Sequence, residues 1–145
     1  MILLDSDHLT VLRYTDSERT VRLNSRLEAA HSAEESVGIT IATVEETMRG
    51  WLASIAKERH FQRQIPAYRE LALLFSFFAG FDIAMFTHAA ADRLDELKAA
   101  KVRVGTMDLK TAAIAIAHDA LLLTANRRDF EKIPGLRFEN WLEEK

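Results

Sequence analysis

The sequence predicts an α/β protein: a three-layer α/β/α sandwich around a mainly parallel central sheet. Three observations predict it. Short apolar runs alternate with stretches of helical period along the whole chain, the pattern of strand–helix–strand units. The runs Ile2-Leu3-Leu4 and Ala120 to Thr124 are apolar without alternation, as in strands covered by helices on both faces. Each is followed by polar residues, Asp5 after the first and Asn126 and Asp129 after the second. In an open α/β sheet the functional residues sit outside the carboxyl ends of the strands, where these acids fall.

The elements follow in chain order. Met1 to Leu4 reads as a short buried strand, and Asp5-Ser6-Asp7-His8 as a polar loop. Ser6 or Asp7 is placed to cap a helix starting near Leu9. Asp16 or Ser17 suits the cap of the next helix, where Thr20, Leu23, Leu27 and Ala30 recur at helical spacing. Ser36 to Ile41 alternates and is β-branched, so a second strand is expected. Thr43-Val44-Glu45-Glu46 then opens a long helix to about His60. Thr43 as N-cap and Glu46 as N3 would form a capping box.

Pro66 suits the first turn of the following helix, which carries Ala67, Leu71, Leu74, Phe75 and Phe78 before Gly80 ends it. Phe81 to Phe86 reads as a strand. Thr87 caps a helix with Ala90, Leu94 and Leu97 on one stripe. Gly105 to Phe130 supplies a helix with Asp108 near its start, the strand Ala120 to Thr124, and a polar turn. Pro134-Gly135 makes a further turn, Leu136 to Phe138 a last strand, and Trp141 and Leu142 close the core.

With 145 residues, one domain spanning 1–145 is expected, and a 48% apolar share is enough for a real core. A net charge of −3 argues against binding nucleic acid through bulk charge, though not against a local basic patch. The absence of cysteine excludes disulfides and thiolate metal sites and fits a reducing compartment. No apolar run approaches the ~20 residues of a membrane helix. The N-terminus reaches an acid at position 5, unlike a signal peptide. A soluble cytoplasmic protein, away from the membrane, is the expectation.

Each acid has an ordinary explanation. Asp5 can cap a turn, and the capping box accounts for Glu46. A helix dipole favours Asp108 in a first turn, and turn or cap chemistry accounts for Asn126 and Asp129. Together they come from separate elements and all fall where strands end or helices begin. Carboxylates packed side by side repel unless a cation lies among them. Oxygen donors without cysteine, and with His8, His31, His60, His88 and His118 scattered, suit Mg²⁺ or Mn²⁺ better than Zn²⁺. The histidines read as surface or helix-face residues.

Four segments, LLDSD, VEETMRG, VGTMDLKTAAIAIA and LLLTANRRDFEKIPGLRFENW, occur in the order and spacing of a PIN domain, and the chain resembles one from Met1 to Trp141. The nearest resemblance is to the VapC-type toxins of bacterial toxin–antitoxin pairs. It implies that Asp5 is the first metal-binding acid, Glu46 the second, in an E-x-x-x-G pattern ending at Gly50, and Asp108 the third. A fourth acid usually follows the late strand. Here Asn126 holds that position and Asp129 lies three residues on, so either can serve. Ser6 stands where the family usually has Thr, and Lys101 where many relatives carry Gly.

The resemblance implies an endoribonuclease dependent on Mg²⁺ or Mn²⁺, the toxin of a VapBC-type pair, working as a homodimer neutralised by a small antitoxin protein. Asp5 and Asp108 would ligate the ion. Glu46 would bind a second ion or reach the first through water, and Asn126 or Asp129 would orient the attacking water. Arg49, Lys57, Arg59 and Arg63, and Arg127, Arg128 and Lys132, form two basic groups suited to an RNA backbone or to ordinary solvated faces. The stretch Pro66 to Phe78 is apolar on more than one face, which suits a dimer or antitoxin interface. Two other readings compete. Asp5-Ser6-Asp7 suits a haloacid-dehalogenase-like phosphatase with Asp5 as nucleophile, although Leu9 stands where that motif expects Thr or Val. The domain could also bind RNA or a partner without catalysis.

Overall fold

The structure, a computed structural model, describes residues 1–14 and 17–143. In chain order it contains β1 (Ile2–Leu4), α1 (Ser6–Tyr14), α2 (Glu18–Ser32), β2 (Val37–Thr40), α3 (Ile41–Lys57) and α4 (Phe61–Phe78). There follow β3 (Asp82–Ala84), α5 (His88–Ala99), α6 (Thr106–Ala117), β4 (Leu121–Leu123), α7 (Arg127–Phe130) and β5 (Arg137–Glu139). The strands form one sheet in the order β3-β2-β1-β4-β5, and every neighbouring pair is parallel. The predicted α/β class is the observed one.

The pleat divides the core between the two faces of the sheet. Leu3 and Leu122 join one cluster with residues of α5 and α6, while Ile2, Leu4, Ile39 and Leu123 join another with residues of α1, α2 and α4. Covering both faces is what makes the strands apolar throughout. Ala112, Ala113 and Ala115 of α6 are fully buried, and their small side chains let the helix lie close on the sheet. The chain builds outward from β1 through β2 to β3, then returns to the other flank of β1 for β4. The order therefore reverses between β1 and β4, and crevices for ligands open at such reversals.

Several boundaries differ from those predicted. The second strand is Val37–Thr40, because Ile41 already belongs to α3. α1 starts at Ser6 directly behind Asp5, so Ser6 and Asp7 lie in its first turn instead of capping a helix near Leu9. Ser17 stands at the N-cap of α2 without a side-chain capping bond, and Asp16 lies outside the described residues. α4 begins at Phe61, and Pro66 lies inside it. Gln64 Nε2 donates to Ile55 O (3.1 Å) and Glu58 O (3.0 Å), tying the start of α4 to the end of α3. That anchorage holds a turn ahead of the proline, where sequence patterning expected none.

Lys101 adopts a left-handed conformation, φ 54°, which accounts for the glycine expected there from the resemblance. Gly135, φ 82°, supplies the turn predicted at Pro134-Gly135. On α4, Leu74 and Phe78 are buried and Leu71 and Phe77 half-buried, while Leu73 and Phe75 are exposed. Among the described residues no helix is long and apolar enough to cross a membrane.

Candidate active site

Asp5 sits where β1 ends, 7% exposed, with its N–H donating to Leu123 O of β4 (2.9 Å). Both carboxylate oxygens are held. Ser6 N–H donates to Oδ1 (2.8 Å) and the buried Thr124 hydroxyl to Oδ2 (2.9 Å). Thr124 is the first residue after β4, so this bond spans the reversal of strand order. Its Oγ1 also accepts from Asn126 N–H (3.1 Å) and lies 3.3 Å from Asp7 Oδ2.

Asp7 is fixed more firmly still. Its Oδ2 accepts from Ala125 N–H (2.8 Å) and its Oδ1 pairs with His8 Nδ1 (2.6 Å). His8 is completely buried, and its Nε2 accepts from Trp141 N–H (3.1 Å). That bond assigns the proton to Nδ1, which donates to Asp7. The backbone near Trp141 is thus coupled through His8 and Asp7 to the loop after β4.

Asp108 lies in the first turn of α6 as predicted and is partly buried. Asp129 lies in α7. Asn126 is the N-cap of α7, its Oδ1 accepting from Asp129 N–H (3.4 Å), and its Nδ2 donates to Asp129 Oδ2 (3.1 Å). The cap chemistry expected of Asn126 is therefore real, and it orients the Asp129 carboxylate.

Glu46 is exposed on α3. The predicted capping box is absent, because the N-cap is Thr40, whose Oγ1 accepts from Thr43 N–H (3.0 Å). The helix starts three residues earlier than Thr43 would have set it, since β2 runs straight into α3. Glu46 is thus freed from the ordinary explanation that sequence offered for it.

The electrostatics record this gathering of acids. Burial, then the charge of Asp7 and more weakly of Asp108, pushes the Asp5 carboxyl up to about 7, against the hydrogen bonds from Ser6 and Thr124. Burial raises Asp108 as well, followed by the charges of Glu46, Asp129 and Asp7. For Asp7 burial is the largest influence and acts upward, but the bonds from His8 and Ala125 outweigh it and hold the carboxyl below the ordinary range. One acid is locked in its charged form while two neighbours resist ionisation. A cation placed among them would relieve that resistance.

The donor set fits a hard divalent ion: carboxylate oxygens, no thiolate, and the buried histidine already engaged at both ring nitrogens. Among the described residues, no three acidic or histidine side chains converge tightly enough to enclose an ion as they stand. An ion that keeps several of its waters needs fewer direct protein ligands.

Of the basic residues named from sequence, Arg49 pairs with Glu45 (2.7 Å) and Arg127 with Glu131 (3.6 Å). Arg128 is exposed beside Asn126. Lys57 lies eleven residues beyond Glu46, ~16 Å along the helix at 1.5 Å per residue, so of that basic group Arg49 stands near the acids and Lys57 well away from them. Sequence reasoning missed the roles of Thr124 and His8, and weighed Asp7 only as a cap or as part of a phosphatase motif. The available signal was the adjacent Asp7-His8 pair directly behind a strand-terminal acid.

The sequence matches the PIN domain family over residues 2–136. It is 33% identical over 82 residues to the tRNA(fMet)-specific endonuclease VapC of Shigella flexneri, covering 54% of this chain and 61% of that protein. The chain thus spans about three-fifths of the length of that curated relative. In three dimensions it is similar to DNA-bound VapBC from Salmonella typhimurium, with a TM-score of 0.70 at 24% identity over 97% of both chains. It is also similar to VapBC2 from Rickettsia felis bound to a promoter DNA fragment, with a TM-score of 0.69 at 23% identity over 97% of this chain and 99% of that one. At these identities the likeness is one of fold.

Proposed function

The chain belongs to the PIN domain family, and from that premise we propose that it is a divalent-metal-dependent endoribonuclease, the toxin of a VapBC-type pair. One observation carries the reading. Asp5, its carboxyl pushed up to about 7, lies with Asp7 and Asp108 at the reversal of strand order, and Glu46 and Asp129 press on Asp108 in turn. Such an arrangement is costly without a cation and useful with one. The name of the Shigella relative, a tRNA-specific endonuclease, agrees with RNA as the polymer.

Asp5 and Asp108 would hold Mg²⁺ or Mn²⁺, with Glu46 reaching it, or a second ion, through water. When bound, such an ion neutralises phosphate charge and makes water a better nucleophile. The chain's own residues do the rest. Thr124 orients Asp5 through Oδ2. Asp129, steered by Asn126, is placed to accept the proton of the attacking water. Ser6 lines the approach to Asp5, and Arg128, with Arg49 and Arg127 once released from their glutamates, would bind the RNA backbone.

A phosphatase reading has less support, since it leaves Glu46, Asp108 and Asp129 without a task. The exposed apolar residues of α4, Phe61 (83% exposed), Ile65, Tyr68 and Phe75 (65%), would be covered by an antitoxin or by a second copy in a homodimer. The solved neighbours are VapBC assemblies, which supports such a partner, and the setting would be the cytoplasm.

The test is cleavage of a mixed structured RNA pool by the protein freed of any partner, wild type against Asp108→Asn, with Mg²⁺, Mn²⁺ or chelator. Metal-dependent cuts that vanish in a folded Asp108→Asn protein are expected. Cuts that persist in chelator, or in the variant, would refute the mechanism.

A further inference from the structure

Among the described residues His8 is the one histidine with no exposed surface, and no step of the proposed chemistry uses it. Trp141 N–H donates to Nε2 (3.1 Å), and Nδ1 stands 2.6 Å from Asp7 Oδ1. A proton on Nε2 would point at the Trp141 N–H, so the ring proton is confined to Nδ1. A solvated imidazole shares its proton between both nitrogens. Here a backbone N–H from the far end of the chain removes the choice and makes His8 a fixed donor to Asp7.

What that donor accomplishes follows from counting hydrogens at Thr124. Its hydroxyl carries one proton and faces two carboxylates, Asp5 Oδ2 at 2.9 Å and Asp7 Oδ2 at 3.3 Å. Its oxygen already accepts from Asn126 N–H, which narrows the directions left to that proton. The proton can serve only one carboxylate well. Asp7 does not need it, because its oxygens accept from His8 and from Ala125 N–H (2.8 Å). Asp5 does need it. Asp5 is 7% exposed, and Thr124 is the donor to its Oδ2.

Without the His8 donor, Asp7 Oδ1 would lose its buried partner. The Asp7 carboxylate could then turn about a bond with broad preferences and compete for the Thr124 hydroxyl. We propose that His8 is a positioning residue for the metal-binding acid Asp5: by satisfying Asp7 it reserves the Thr124 hydroxyl for Asp5 Oδ2, and so fixes the carboxylate that would hold the ion. The inference rests on the nuclease reading for calling Asp5 a ligand.

Two amides divide the two bonds of the ring. In His8→Asn the side-chain nitrogen falls near the place of Nδ1 and keeps a donor for Asp7, at the expense of the Trp141 contact. In His8→Gln the amide reaches the place of Nε2, where its oxygen can accept from Trp141 N–H, and Asp7 is left without its donor. Each variant gives up one of two buried bonds, so their urea midpoints should be similar. Mn²⁺ affinity by calorimetry should stay close to wild type in His8→Asn and fall about ten-fold in His8→Gln. In a Thr124→Val background His8→Gln should weaken Mn²⁺ no further, because it acts through that hydroxyl.

Metal-free structures read the positioning without any ion. In His8→Gln, Thr124 Oγ1 should lie closer to Asp7 than to Asp5, reversing the wild-type order, while His8→Asn should preserve it. In the wild type, ring ¹⁵N shifts should show Nδ1 protonated and Nε2 bare. The opposite tautomer would overturn the proposal before any variant is made. So would Mn²⁺ affinity that falls equally in both variants, or a Thr124 that keeps to Asp5 in His8→Gln. A Thr124 that changes partner in a protein whose wild type neither binds Mn²⁺ nor cleaves RNA sinks the nuclease reading and leaves the positioning of Asp5 intact.

Discussion

Replacing Asp5 by Asn is predicted to stabilise the metal-free protein while ending the nuclease activity proposed for it. Burial, aided by Asp7 and Asp108, moves the carboxyl from an ordinary 3.8 to about 7. Each unit is worth about 1.4 kcal/mol, so keeping Asp5 ionised in the fold costs about 4 kcal/mol. A raised folded-state value means the folded chain binds this proton more tightly than the unfolded chain. The associated stability is therefore intact below pH 3.8, declines as pH rises, and is gone above about pH 7.

Asparagine carries no charge to penalise. Its Oδ1 can keep the Ser6 N–H, but its Nδ2 would face the Thr124 hydroxyl, whose hydrogen must turn toward Asp7 Oδ2, 3.3 Å away. Losing one charge-assisted bond offsets about 2 kcal/mol, leaving a net gain of about 2 kcal/mol. For a chain of this size that is a rise of ~4–8 °C in melting temperature. Urea unfolding in chelator at pH 4, 6 and 8 would read it. The variant should exceed wild type at pH 8 and match it or fall below at pH 4. A variant no more stable than wild type at pH 8, or a difference that does not change with pH, would refute the electrostatic account of the site.

Thr124→Val keeps the shape of the side chain but removes the hydroxyl that holds Asp5 Oδ2 and accepts from Asn126 N–H. Mn²⁺ affinity by calorimetry should fall by roughly ten-fold, with unchanged circular dichroism. Gly38→Ala drives a Cβ into the Asp82 carbonyl oxygen, so β3 must shift away from β2, and urea unfolding should show a loss of about 1–3 kcal/mol. Lys101→Gly relieves the left-handed backbone and should raise stability by about 0.5–1 kcal/mol in the same assay.

What the sequence disclosed and what it withheld have physical causes. The buried strands were legible because covering both faces makes them apolar throughout, and Asp5 because it interrupts such a run abruptly. Asp108 was legible from the small-residue helix behind it. The capping box at Thr43-x-x-Glu46 satisfied a local rule and gave Glu46 an ordinary explanation, whereas Thr40, at the end of β2, took the capping position. Pattern alone cannot rank two threonines three residues apart. The start of α4 was missed because what holds it, Gln64 bonded to the backbone at Ile55 and Glu58, depends on how α3 ends. The His8 link to Trp141 joins residues 133 positions apart, which no local pattern encodes.

That separation bears on when the site comes into being. The residue fixing Asp5 lies 119 positions downstream of it, and the backbone that fixes His8 lies 133 downstream. At ~5–20 residues per second of synthesis, the second interval lasts about 7–27 s. For most of it β1, the middle strand of the finished sheet, has no β4 beside it and Asp5 has no Thr124. The acids of a nascent chain are therefore ordinary solvated carboxylates, and the centre assembles only when nearly all of these residues have been joined. A nascent chain that has not yet reached β4 carries Asp5, Asp7, Glu46 and Asp108 but lacks the residue that fixes Asp5.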